Sequence, residues 1–362
     1  MRWWLLALVI GCRRDPAVDA AVVHAEAGAA ARAEADASIA VEVDTGAKAE
    51  ADATARVLPE RARVAALAKK VHGIVGISNT HDRVVIAEDA ERPVLVASFT
   101  KLFVAVAMLR LVGRGVFGLD DTVKSLLPGL PARAWSDSTV RELLTHTSRV
   151  PEFDESGGYY RKSGVDFHAP TATLGKELSA ATEKRGVWKY RNAEFALLGA
   201  ILQEQGKKPA AEVLTEEVFR PAGMKHAGIL VDRGPAELDL APMGAIRPQN
   251  FFTAGNGYAS LDDLLAFFDA LGDETLLSKE AKATLFEGTA DRHNGALGCW
   301  SYPFSGHLLV ERPGGFGNVR LVSAFFPEER RAVVAWSKDA PDLGRPSNPK
   351  SIAASLARAA IE

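Results

Sequence analysis

The chain has 362 residues, a formal net charge of -3, 47% hydrophobic and 25% charged residues. That length holds one large domain or two modest ones, and the composition is that of an ordinary globular protein. The near-neutral balance excludes an electrostatic nucleic-acid footprint, and no apolar run is long enough for a spanning helix.

In chain order, Met1-Arg2 gives a basic start and Trp3 to Ile10 a short apolar stretch, ended by Gly11-Cys12. This is the layout of a secretory signal over residues 1–11. It resembles a bacterial lipoprotein signal, in which Cys12 becomes the lipidated first residue of the mature chain. That implies an envelope protein anchored on the periplasmic or extracellular face, with the membrane as a partner through the lipid; each buried CH₂ contributes about 0.8 kcal/mol. Residues 12–60 hold 17 Ala and no Phe, Trp or Tyr. Without aromatics this stretch cannot bury enough surface to offset chain entropy, and it is expected to be a disordered tether. The globular domain is expected over 61–362.

Arg61 to Lys70 has the spacing of an amphipathic helix. Val71–Ser78 and Arg83–Ala87 are β-branched and flank the hairpin turn Asn79-Thr80-His81-Asp82. Phe99 to Val112 is apolar on nearly every face, which predicts a helix buried at the centre. From about Leu119 to Leu285 the pattern is mostly helical. Strands return at Gly306–Glu311, Asn318–Phe326 and Arg331–Ser337, and Pro349–Ile361 closes the chain as an amphipathic helix. Strands from both chain ends around a helical insert predict an α/β (α+β) fold: one antiparallel sheet flanked by helices, an all-α region beside it, and a cleft between. Of the two cysteines, Cys12 lies in the targeting segment, and Cys299 reads as a small buried hydrophobe. No Cys/His cluster or His-Glu-x-x-His helix points to a metal, and no cofactor is expected.

Chemistry concentrates at Ser98-Phe99-Thr100-Lys101, at the start of the buried helix. Residues three apart share a helix face, so the ammonium reaches the hydroxyl. A helix start favours negative charge, and burial lowers the pKa of a lysine, making it a candidate base. The same tetrapeptide spacing at Ser347-Asn348-Pro349-Lys350 is interrupted by Pro and lacks an apolar helix behind it. Gly113-Arg114-Gly115-Val116-Phe117-Gly118 fits a dinucleotide-binding pattern but follows a helix rather than a strand. No Gly-x-Ser-x-Gly elbow exists.

Taken with Leu119-Asp120-Asp121-Thr122-Val123, Leu143-Leu144-Thr145-His146-Thr147-Ser148, Tyr190-Arg191-Asn192, Leu197-Leu198-Gly199, Pro221-Ala222-Gly223-Met224 and Ala254-Gly255-Asn256-Gly257, the chain resembles the serine β-lactamase/penicillin-binding family. It is most similar to the class C-like branch of D-alanyl-D-alanine carboxypeptidases, D-aminopeptidases and esterases, over about residues 70–340. The resemblance implies Ser98 as nucleophile, with Lys101 and Tyr190 moving its proton. It implies that Asn192 holds Lys101 and the substrate amide. It implies a third motif of cation, small hydroxyl residue and Gly, found here as Arg312-Pro313-Gly314. The oxyanion donors would be Ser98 and Gly315. Pro313 replaces the hydroxyl and removes a strand N–H; a register with His307 as the cation has no Gly at the right distance. Arg149 stands where the family usually has Gly. Arg312 is expected to grip a substrate carboxylate with its planar fork. The implied substrate is a peptidoglycan-related peptide, an ester or a β-lactam. The competing reading is a non-catalytic lipoprotein that keeps the fold for binding.

Overall fold

The computed structural model describes residues 64–71, 73–78, 83–86, 90–154, 157–240, 243–338 and 343–361. The signal, the tether and Cys12, and the turn Asn79–Asp82, lie outside the described residues. Arg61–Glu362 forms one compact unit.

Two antiparallel sheets organise it. The larger contains β1 (Ile74–Ser78), β2 (Arg83–Ile86), β6 (Trp300–Phe304), β7 (His307–Glu311), β8 (Gly314–Phe316), β9 (Val319–Phe326) and β10 (Arg331–Ser337). Its order is β2-β1-β10-β9-β7-β6, with β8 also paired to β9. The N-terminal hairpin thus docks on the C-terminal strands through β1 and β10, Val75 opposite Ala335. The smaller sheet runs β3-β5-β4, from β3 (Val94–Ala97), β4 (Gly228–Ile229) and β5 (Gly257–Ala259).

Strand periodicity explains why the large sheet carries helices on both faces. On β10, Ala332 and Val334 join one apolar cluster while Val333 and Ala335 join another. The second cluster is covered by α1 (residues 64–71) and α10 (Ile352–Ile361), through Val64, Ala68, Leu356 and Ala360. The first is covered by α2 (Thr100–Gly113) and α8 (Leu261–Gly272). Gly76 faces α8, where a Cβ would fall 2.9 Å from a Leu265 methyl. The helical part adds α3 (Val123–Leu126), α4 (Val140–Leu144), α5 (Pro170–Glu177), α6 (Asn192–Gly206), α7 (Ala210–Leu214) with a π-helical turn over Thr215–Phe219, and α9 (Lys279–Leu285). Capping boxes start α3, α4 and α8, with Thr122/Ser125, Thr139/Glu142 and Ser260/Asp263 satisfying each other's N–H groups.

Helix α2 is buried on every side from Thr100 to Leu109. Phe103 sits edge-on to Phe99, Phe219 and Phe267 at 5.1, 5.2 and 4.9 Å between centroids. Such a core position costs about 3–5 kcal/mol when truncated to alanine, so the start of α2 is held rigidly.

Alternation in the sequence does not reveal β3, β4, β5, β6 and β8. They are two to five residues long, and Pro303 and the glycines at 257, 314 and 315 blur the pattern. Val71, expected in a strand, ends α1 instead, and β1 begins at Ile74.

Candidate active site

Ser98 lies in the turn between β3 and α2, two residues before the first helical residue, Thr100. The turn is tight: Phe99 N–H donates to the Val96 carbonyl at 3.1 Å, and Lys101 N–H to the Ser98 carbonyl at 3.1 Å. Ala97 has φ 49, the left-handed region, a strained conformation for a residue with a Cβ. The strain directs the half-buried Ser98 side chain out of the core while its neighbours stay inside.

Lys101 is fully buried, and its three donors are all engaged. Nζ lies 3.3 Å from Ser98 Oγ, 2.8 Å from Asn192 Oδ1 and 2.6 Å from the Ala254 carbonyl. Burial lowers its pKa to about 8, with the Arg312 charge helping and Tyr190 opposing. The Ala254 carbonyl reaches it because segment 252–254 packs on α6. Thr253 Oγ1 donates to the Phe195 carbonyl at 2.7 Å, and a Cβ on Gly199 would fall 2.0 Å from that oxygen.

Tyr190 enters from the extended segment before α6, and its hydroxyl is 2.8 Å from Ser98 Oγ. Burial pushes its pKa up, but Arg312 and Lys101 outweigh burial and hold the phenol below its ordinary value. Asn192, the first residue of α6, accepts from Lys101 and donates through Nδ2 to the Tyr160 hydroxyl at 3.1 Å. The helix start is closed by Glu152, whose carboxylate accepts from Asn192 N–H at 2.7 Å and Ala193 N–H at 3.2 Å. An acid at the positive end of a helix is favourable, and here it fixes the residue that holds Lys101.

Arg312 reaches the same group but differs from expectation. Its side chain is 1% exposed; Nη2 donates to the Tyr190 hydroxyl at 2.8 Å and Nε to the Ser98 carbonyl at 2.7 Å. The guanidinium lies 5.0 Å from the Trp300 ring centre and 5.4 Å from that of Tyr190. A buried guanidinium must find partners inside the protein, and Arg312 finds them on the nucleophile and the phenol. The expected carboxylate grip therefore has no support in this geometry. His307, the alternative register, stands at the start of β7 and pairs with Glu329 instead.

Pro313 separates β7 from β8, and the Ser323 hydroxyl repairs the break. It accepts from Arg312 N–H and donates to the Arg312 carbonyl, both at 3.1 Å. Gly314 lets β8 lie against β3: a Cβ there would fall 2.2 Å from the Val96 carbonyl. The exposed Gly315 follows on the same strand, opposite Arg320.

Behind Tyr190 lies a set of buried polar groups that the sequence hinted at only through His146. That histidine has φ 58 and packs its ring on Tyr190, 4.6 Å between centroids. Its Nδ1 is 2.5 Å from Glu194 Oε2. Ser148 donates to Glu194 Oε1 at 2.5 Å, and Arg191 Nη1 is 3.6 Å from the same oxygen. Arg149 faces away, toward Asp137 at 3.7 Å. The Ser347–Lys350 turn is exposed and leads into the amphipathic α10 on the outer layer, away from the buried α2. Cys299 is buried, and burial raises its pKa to about 12, so the thiol is an inert core group.

The chain is similar to several known proteins. The chain is 31% identical over 269 residues to the D-alanyl-D-alanine-carboxypeptidase/endopeptidase AmpH of Escherichia coli K12, covering 65% of this chain and 68% of that protein. It is 26% identical over 217 residues to penicillin-binding protein 4* of Bacillus subtilis, covering 52% and 47%, and so spans about half the length of that relative. Esterase EstB of Burkholderia gladioli matches at 31% over 220 residues, covering 48% and 56%. Among solved structures, D-amino acid amidase from Ochrobactrum anthropi SV3 superposes with a TM-score of 0.68 at 17% identity, over 83% of this chain and 97% of that one, a likeness of fold. The beta-lactamase family model matches residues 51–357. That match takes in both sheets, the helical insert and every residue grouped around Ser98, and on it the chain belongs to the beta-lactamase family.

Proposed function

We propose that the protein is a serine hydrolase that works through an acyl-enzyme on Ser98. The observation that carries this reading is the double approach to Ser98 Oγ, by the Tyr190 hydroxyl at 2.8 Å and Lys101 Nζ at 3.3 Å. A free serine hydroxyl is a weak nucleophile and needs an adjacent base. Arg312 and Lys101 favour the phenolate form of Tyr190 and so make it that base. As Oγ forms a bond to the substrate carbonyl carbon, its proton passes to the Tyr190 oxygen. The bond to the leaving oxygen or nitrogen then breaks, and the leaving group takes the proton back from Tyr190. Water repeats the exchange in reverse and frees Ser98. Lys101 and Arg312 stay charged and steady the phenolate. The N–H groups of Ser98 and Gly315 are assigned to the developing oxyanion, a role worth about 10²–10³ in rate per donor elsewhere.

The relatives support, as substrate class, a peptide ending in D-alanyl-D-alanine, as in the name of AmpH, or an ester, as in that of EstB. Fold does not choose between them. Covalent labelling with a fluorophosphonate or a fluorescent penicillin tests the reading. Wild type and Ser347→Ala should label and Ser98→Ala should not; equal labelling of all three would remove Ser98 as nucleophile.

We also propose that Cys12 is lipidated and tethers the domain to the cell envelope. The support is the sequence Val9-Ile10-Gly11-Cys12 ahead of the aromatic-free stretch. Intact mass of membrane-extracted protein decides it, and an unmodified Cys12 or a mature start elsewhere would refute it.

A further inference from the structure

Glu194 is fully buried in the first turn of α6, four residues after Tyr190, and the mechanism above does not use it. Its surroundings determine where the proton lies. The Arg191 backbone N–H donates to His146 Nδ1 at 3.4 Å, so that nitrogen presents its lone pair. A protonated Nδ1 would set its own hydrogen against that N–H, so the geometry favours the proton of the 2.5 Å contact on Glu194, with the Nδ1 lone pair shared between the two donors and Nε2–H left without a partner among the described residues. Ser148 then supplies the donor to the other carboxyl oxygen. Burial acts the same way on both partners, raising Glu194 well above the carboxylate range and holding His146 well below its ordinary value.

Charges facing this pair come from every side. Arg191 is on its own segment, Lys101 on α2, Arg312 between β7 and β8, and Glu152 on the loop after α4, with Glu183 3.4 Å from Arg191. The cations favour a phenolate at Tyr190. A carboxylate at Glu194 would oppose it from behind the same ring.

We propose that Glu194 is a positioning residue for Tyr190: as a neutral donor to His146 it fixes the imidazole beneath the phenol ring without placing a negative charge there. The proposal rests on Tyr190 as the base and deepens that reading. Glutamine reproduces the arrangement, since its amide donates to Nδ1 and its carbonyl accepts from Ser148. Leucine fills the space but offers neither. Two readouts separate this from packing alone: kcat and KM for a neutral ester across pH, and the ultraviolet titration of tyrosinate, with Tyr190→Phe subtracted to isolate the one phenol.

Glu194→Gln should keep kcat within about threefold, less than one tenfold step of 1.4 kcal/mol, and leave the Tyr190 titration where it was. Glu194→Leu should lose tenfold or more in kcat with KM little changed. A downward shift of the Tyr190 titration in Glu194→Gln would show that a carboxylate had been removed, and would overturn the proposal. Equal loss in both variants, or wild-type kcat in Glu194→Leu, would overturn it as well. Failure of the Tyr190 reading shows separately, as a Tyr190→Phe protein that retains full turnover.

Discussion

Replacing Arg312 with alanine tests how the site is poised. The guanidinium places one charge-assisted bond on the Tyr190 hydroxyl at 2.8 Å and one on the Ser98 carbonyl at 2.7 Å. Loss of a charge-assisted bond to the reacting phenol costs about 1.5–3 kcal/mol, or roughly tenfold to 150-fold in kcat/KM. The sign of the pH effect follows from what sets the phenol. Burial alone would raise it, and Arg312 is the largest influence in the other direction. Without Arg312 the phenolate forms only at higher pH, so the acid limb of the kcat/KM profile moves up and activity near neutrality falls most. Arg312→Lys, which keeps a charge but not the fork, should move the limb less. The assay is acylation rate against pH with two substrates matched except for a free carboxylate. Both should fall together. A loss confined to the anionic substrate would place the guanidinium on the substrate, and an unmoved acid limb would remove its hold on Tyr190; either result refutes the reasoning.

Tyr190→Phe removes only the hydroxyl and should lower kcat by about 10²–10⁴, the usual worth of a general acid–base group, while thermal unfolding stays near wild type. Gly314→Ala should destabilise by about 1–3 kcal/mol and slow labelling. Its Cβ would sit 2.2 Å from the Val96 carbonyl, a backbone atom that moves only if β8 parts from the strand leading into Ser98. Unchanged melting and labelling rate would show that β8 is free to shift.

The sequence made the ends of the site legible and left its centre dark. Ser98 and Lys101 stand three apart beside a helix apolar on all faces, and Tyr190 and Asn192 sit two apart ahead of another, so local spacing brings each pair together. The antiparallel sheet was likewise readable from β9 and β10, mostly apolar strands of eight and seven residues that face two cores. Direction was not readable at Arg312. Pro313 breaks the strand, and Ser323, eleven positions on, restores the bonds that turn the guanidinium inward. Glu152 closing α6 from forty residues away, and the Ala254 carbonyl on Lys101, are contacts between distant segments through groups found everywhere in the chain. Glu194 was not legible, because its partners His146 and Ser148 are set by the tertiary fold.

The central claim is that Ser98 carries the acyl group, and mass-spectrometric mapping of the labelled wild-type protein addresses it most directly. After reaction with a fluorophosphonate or a penicillin and digestion, the adduct should lie on the peptide containing Ser98-Phe99-Thr100-Lys101, at the serine, with unlabelled Ser347. An adduct on any other residue, or none under conditions where the protein turns over an ester, would contradict the account.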